Sequence, residues 1–256
     1  MNDMKLLFCL LLLLVVTGSI SAQQNLPTLF IIGDSTVKNS ADGQQGWGEP
    51  IKDLFDTARI NVVNRARGGR SSRTFQTEGL WDEVLTELKP GDFVLMQFGH
   101  NDGGPINDES RARGSLPGIG KEFEAISNQV TKKTEVVHTF GWYMRKYIAD
   151  TKAKGATAIV LSPVPRNIWI YGKVARAAEG HGGWAESVAK SEKVFFINLN
   201  EIVAARYEAI GQETIARDYF KTDHTHTSPV GARLNAESVV VGLKALINCP
   251  LTKYLR

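Results

Sequence analysis

The chain has 256 residues, 43% hydrophobic and 22% charged, which places it among ordinary globular proteins with apolar material for one sizeable core. Its formal net charge of +3 is too small for a dedicated nucleic-acid binder, whose footprint is a strongly basic surface interleaved with aromatics. In chain order, the first element is an unbroken apolar run of 11 residues from Leu6 to Val16, preceded by Lys5 and followed by "TGSISA". That run falls short of the roughly 20 residues a spanning helix needs and carries the flanks of a secretory signal peptide. Cleavage is expected after Ala22, leaving a signal peptide over 1–22 and a single domain over 23–256, periplasmic or secreted. Once Cys9 is removed with the signal, Cys249 is the only cysteine, so no intramolecular disulfide is expected.

Short, nearly continuous aliphatic and β-branched runs then recur at "TLFIIG", "INVVN", "DFVLMQFG", "ATAIVLS" and "KVFFIN", as strands buried on both faces should. Helical spacing occupies 47–56, 78–88, 136–154, 184–191 and 199–210. A last helix is signalled by "TSPVGARL", with Ser228 as cap and Pro229 in the first turn, running to about Ile247. Strand and helix alternate, which predicts an α/β fold with a five-stranded parallel sheet covered on both faces. Two long polar segments rich in Gly and Pro, 101–120 and 163–183, read as functional or disordered loops.

Four of the turns carry chemistry. "FIIGDST" breaks a strand into Gly-Asp-Ser and leaves the Ser35 hydroxyl at its carboxyl end, the edge where α/β sheets place their sites. "RGGRSSR" follows the second strand, with Gly68 and Gly69 free to expose a backbone amide. "FGHND" follows the third, where Asn101 offers a side-chain amide for an oxyanion. "DHTHTSP" precedes the last helix with Asp223 three residues before His226, a spacing that lets a carboxylate reach the far ring nitrogen and fix the tautomer. Together these give Ser35 as nucleophile, His226 as base, Asp223 as its orienter, and the amides of Ser35 and Gly69 with the Asn101 side chain as oxyanion donors. By spacing alone His224 serves as base equally well. Asp223, His224 and His226 also have metal-ligating atoms, but no further ligand cluster accompanies them.

"GDST", the glycine of "GGRSSR", "GHND" and "DHTH" resemble, in order, the four blocks of the SGNH (GDSL-type) hydrolases. The wording around them, "GDSTVKN", "GWGE", "GRSSRTF", "FGHNDGG", "SPVPRN" and "DHTHTSPVGA", is similar to rhamnogalacturonan acetylesterase-like carbohydrate esterases. The resemblance implies a flavodoxin-like three-layer α/β/α sandwich without metal or cofactor. It places the catalytic serine on Ser35, the oxyanion glycine and asparagine on Gly69 and Asn101, and the aspartate and histidine on Asp223 and His226, which leaves His224 a structural or substrate-facing role. An exported esterase removing O-acetyl groups from plant cell-wall polysaccharide is therefore expected, with rhamnogalacturonan first and acetylated xylan second. A lipase, thioesterase or lysophospholipase on the same fold is the nearest alternative, and a carbohydrate-binding protein without turnover the more distant one. The expected partner is an acetylated polysaccharide or oligosaccharide, with no nucleic acid, no membrane after signal cleavage, and a monomeric chain.

Arg59, Arg65, Arg67, Arg70 and Arg73 occur with no acid between them. Arg70 and Arg73, close to Gly69, are the candidates for binding uronic carboxylates, and Trp169 and Tyr171 the candidates for stacking on sugar faces.

Overall fold

Residues 26–256 are described in a computed structural model, and the signal peptide read over 1–22 lies outside them. The five apolar runs form β1 (Thr28–Gly33), β2 (Asn61–Asn64), β3 (Phe93–Gln97), and two later strands of one sheet. Between β3 and those two comes an antiparallel hairpin, β4 (Phe123–Ser127) and β5 (Thr134–His138). The sheet resumes with β6 (Thr157–Leu161). A two-residue ribbon, β7 (Trp169–Ile170) and β8 (Lys173–Val174), precedes the last sheet strand, β9 (Phe195–Ile197). All five sheet strands are parallel, in the order β2-β1-β3-β6-β9.

The continuous hydrophobicity of the strands is explained by two cores, one on each face. Leu29 and Ile31 of β1 point into a cluster with Trp47, Tyr207, Leu234 and Val239, whereas Phe30 and Ile32 point into one with Trp81, Phe140, Tyr147 and Val188. Successive side chains on opposite faces are the period of a strand, and both faces are covered because helices lie on each side. On one face lie α1 (Ser72–Thr77), α2 (Leu80–Glu87), α3 (Phe140–Ala153) and α4 (His181–Ser191). The other face carries a 3-10 segment (Pro50–Leu54), α5 (Leu199–Ile210) and, beyond the short turn α6 (Gln212–Thr214), α7 (Pro229–Ala245). The result is a three-layer α/β/α sandwich.

The structure corrects two helical expectations and adds a helix that the sequence reading lacked. Only Pro50–Leu54 of 47–56 is helical, as 3-10 turns, because Gly46 and Gly48 press their backbones on Val37 and leave no room for a helix to begin earlier. Helix α3 begins at Phe140 and not at Val136. The β-branched stretch before it pairs as β5, and Thr139 caps the helix by accepting from the Trp142 amide at 3.1 Å. Helix α1 has no apolar periodicity to announce it; a capping box between Ser71 and Thr74 starts it. The expected cap of α7 is present, with Ser228 Oγ accepting from the Gly231 amide.

The strand order decides where a site can form. After β1 the chain moves outward to β2 and then returns to the other side of β1 for β3. The crevice at the carboxyl ends of β1 and β3 is the point where the winding reverses, and the turns of β1, β2 and β3 meet there.

Candidate active site

The turn after β1 is held almost entirely from within. A Cβ on residue 33 would lie 2.5 Å from Val37 Cγ2 and 2.6 Å from the Gln97 carbonyl oxygen, so glycine alone lets β1 turn this close to β3. Asp34 is fully buried, and its Oδ1 accepts from the Thr36 amide and hydroxyl, both at 2.8 Å. Thr36 Oγ1 in turn accepts from Gln97 Nε2 at 2.7 Å, and Gln97 Oε1 from the indole of buried Trp47 at 2.9 Å. A buried relay thus runs from the tryptophan of "GWGE" to the aspartate of "GDST". Burial raises the Asp34 carboxyl above its ordinary range, against the lowering effect of the Thr36 amide and hydroxyl.

This turn presents Ser35 Oγ to His226 Nε2 at 2.8 Å, while His226 Nδ1 lies 2.7 Å from Asp223 Oδ2. The second oxygen of Asp223 accepts from the amides of Thr225 at 2.6 Å and His226 at 2.7 Å. Burial pushes the Asp223 carboxyl up, but the His226 ring and the two amides outweigh it and hold it down at about 2. An ionised Asp223 accepts from Nδ1–H, so the lone pair of Nε2 faces the serine hydroxyl, which donates to it. The same turn is tied to the chain after β1 by reciprocal bonds between Gln45 and Thr227.

Across from the histidine lie the donors. Gly69 has φ +79°, a conformation that favours glycine, and a Cβ on the adjoining residue 68 would lie 3.7 Å from Ser35 Cβ. Among the described residues, the amides of Ser35 and Gly69 make no backbone hydrogen bond. Asn101 is buried and gives one of its Nδ2 hydrogens to the Arg70 carbonyl at 2.8 Å, which orients the other. Next to it, buried Asp102 accepts from the Ser72 amide at 3.1 Å and from the hydroxyls of Ser72 and Ser115, fastening the β3 turn to α1. Such a set holds the groups needed to activate a hydroxyl, receive its proton and stabilise an anionic oxygen.

The model of the GDSL-like Lipase/Acylhydrolase family matches residues 31–234, a span that holds all of these groups. The chain belongs to that family. A rhamnogalacturonan acetylesterase of Emericella nidulans is 33% identical over 221 residues, covering 86% of this chain and 84% of its own. A probable rhamnogalacturonan acetylesterase of Bacillus subtilis is 31% identical over 232 residues, covering 88% and 95%. The crystal structure of the YxiM protein of Bacillus subtilis superposes with a TM-score of 0.69 at 29% identity, over 86% of this chain and 56% of that one. Like its family, this protein is an ester hydrolase.

In this GDSL-like hydrolase Arg65, Arg70 and Arg73 of the arginine stretch are each paired with a glutamate. Arg65 pairs with Glu87, and Arg70 with Glu78 at 2.8 Å. Arg73 is fully buried: it binds both oxygens of Glu135 at 2.6 and 2.7 Å and the carbonyls of Ile106 and Gly114 at 2.7 and 2.8 Å. Reading Arg73 as a substrate-binding residue is therefore corrected. It is a structural clamp between α1, β5 and the loop after β3, and its acid lies 62 residues away in sequence. Arg70 stays beside Gly68, whose carbonyl it also reaches at 3.1 Å. Trp169 packs half-buried against the core with its indole on Asn167 Oδ1 at 2.7 Å, and the fully exposed ring of that ribbon is Tyr171. His224 is exposed and contributes its carbonyl, which accepts from the Asn167 amide at 2.7 Å. Sequence reasoning passed over Thr36 and Gln97, and read Trp47 as a core aromatic rather than a sugar-stacking one, which its full burial bears out. The signal for the first two was the polar Gln97 ending an otherwise apolar strand.

Proposed function

We propose that this protein is an exported carbohydrate esterase that removes O-acetyl groups from rhamnogalacturonan. The observation that carries the reading is the continuous row Ser35–His226–Asp223, at 2.8 and 2.7 Å, opening onto the unengaged amides of Ser35 and Gly69. The names of the two relatives supply the substrate class.

Ser35 Oγ attacks the acetyl carbonyl carbon as His226 Nε2 takes its proton, and the carbonyl electron pair moves to an oxyanion held by the amides of Ser35 and Gly69 and by Asn101. The intermediate collapses, the bond to the sugar oxygen breaks, and that oxygen takes the proton back from His226. Water, deprotonated by the same nitrogen, then attacks the acetyl-serine, the bond to Ser35 Oγ breaks, Oγ takes the proton back from His226, and acetate leaves. Asp223 stabilises the imidazolium that forms twice in the cycle. Preorganised donors of this type contribute about 3–4 kcal/mol each in the transition state.

The test is acetate release across acetylated rhamnogalacturonan, homogalacturonan and xylan, with Ser35→Ala alongside. Rhamnogalacturonan is expected to be hydrolysed fastest and Ser35→Ala to abolish turnover without loss of folding. Faster release from xylan, or turnover surviving in Ser35→Ala, would overturn the reading.

A further inference from the structure

Past the ends of β3 and β6 lies a cavity of about 320 Å³ walled by His100, Pro163, Arg166, Ile168, His181 and Asn200. That is room for about one sugar unit, at the lower end of small-ligand pockets. Arg166 is the feature of its wall that the fold leaves unexplained. Its Nη2 donates to the His100 carbonyl at 3.2 Å, while its Nε is buried with no partner. None of the ion pairs among the described residues includes it. Arg176, the other arginine on the lining, is instead neutralised by Glu201 and Glu208. Glu179, the only carboxylate there, is exposed and forms no ion pair.

The place of Arg166 connects it to the reaction. His100, whose carbonyl anchors the guanidinium, adjoins Asn101, and the amide of Asn167 is bonded to His224 in the turn that carries His226. The guanidinium is thereby tied to the residue preceding Asn101, and its neighbour Asn167 is tied to the turn that carries His226. Burial, with the Arg166 cation beside it, pushes the His100 ring down to about 3, so the ring is neutral and its Nε2, also buried and unpartnered, adds no second cation. A partly buried guanidinium that lacks a counter-ion has forgone hydration without ion-pair recompense, and its planar fork matches a carboxylate.

We propose that Arg166 is a specificity-determining residue that receives the carboxylate of a uronic acid unit adjoining the acetylated sugar, with the β3–β6 cavity as its subsite. The proposal rests on the acetylesterase reading and moves the expected charge recognition from Arg70 and Arg73 to the loop after β6.

Michaelis constants for an acetylated galacturonate-containing oligomer and for its carboxyl-reduced counterpart are compared in wild type, Arg166→Gln and Arg166→Lys. Loss of a charge-assisted pair is expected to raise the wild-type constant for the uronate oligomer about ten- to hundredfold in Arg166→Gln, with kcat changing far less. Arg166→Lys recovers part of the loss, since it keeps the charge and loses the fork. Equal effects of Arg166→Gln on both oligomers would overturn the proposal and make Arg166 a brace for His100. A second arm needs no turnover: calorimetric titration of Ser35→Ala, with and without Arg166→Gln, by the de-acetylated uronate oligomer. Weaker binding in the double variant supports the subsite, and equal binding or none overturns it. No acetate release by the wild type from either oligomer would strike the acetylesterase reading alone.

Discussion

Ser35 and His226 meet at 2.8 Å, yet the two turns that bring them together are held by opposite means. The turn of Ser35 is part of the core: Asp34, Thr36, Gln97 and Trp47 are all buried, and each polar link of the relay depends on the one behind it. The turn of His226 lies at the surface, where Asp223, exposed, organises two consecutive residues by itself through the Thr225 amide, the His226 amide and the His226 ring. Burial makes the first turn rigid at the cost of coupling it to folding, because an interrupted buried relay leaves an unsatisfied polar atom. Local hydrogen bonding makes the second turn dispensable for stability. Activity and stability should therefore separate on the histidine side and at Ser35 itself, and fall together where the buried relay behind Ser35 is cut.

The largest effect is expected on the histidine side. His226→Ala should lower kcat by about 10⁴-fold or more, as removal of a base does, while leaving the unfolding midpoint nearly unchanged. His224→Ala, which keeps the backbone carbonyl that Asn167 uses, should stay within a small factor of wild type. The reverse ranking would transfer the role of base to His224. Asp223, held at about 2 from an ordinary 3.8, contributes stability that is fully present above pH 3.8 and lost as pH falls toward 2. Above pH 4 it remains ionised, so loss of its charge should affect stability and rate only below that pH. Loss of stability that follows Asp223 and sets in above pH 5 would contradict that.

On the buried side, Arg73→Gln removes the guanidinium from Glu135, Ile106 and Gly114 together. Breaking a buried pair by deleting one partner costs about 3–5 kcal/mol, read as a drop in the thermal midpoint of roughly 6–20 °C for a chain of this size. A raised Michaelis constant with an unchanged midpoint would restore Arg73 to the substrate. The smallest of the effects belongs to Trp47→Phe, which keeps most of the ring and removes the indole donor from Gln97. The unsatisfied Gln97 oxygen should cost about 1–3 kcal/mol in denaturant unfolding. Turnover should fall with it, since the relay that sets Ser35 loses its far anchor. Loss of stability with wild-type kcat would show that Ser35 is positioned by Gly33 and backbone alone.

Much of this was legible in one dimension. Two-faced burial writes itself as continuous apolar runs, and all five sheet strands were readable from them. A local turn can be read when its hydrogen bonds close within a few residues, as from Asp223 to His226 or from Ser228 to Gly231. What could not be read was any pairing across distance. The acid that neutralises Arg73 is 62 residues away and Gln97 is 61 from Thr36, so an arginine stretch with no nearby acid looked open although the fold had closed it.

Val136 and Val137 carried helical spacing and strand-favouring side chains at once, and only pairing with β4 decided between them. The amino-acid sequence by itself determined the layers and the chemistry of the four turns, because periodicity and turn residues act locally. The tertiary structure alone decided which charges are spent inside the fold and which, like that of Arg166, remain for a substrate, because counter-ions are assigned by proximity in space.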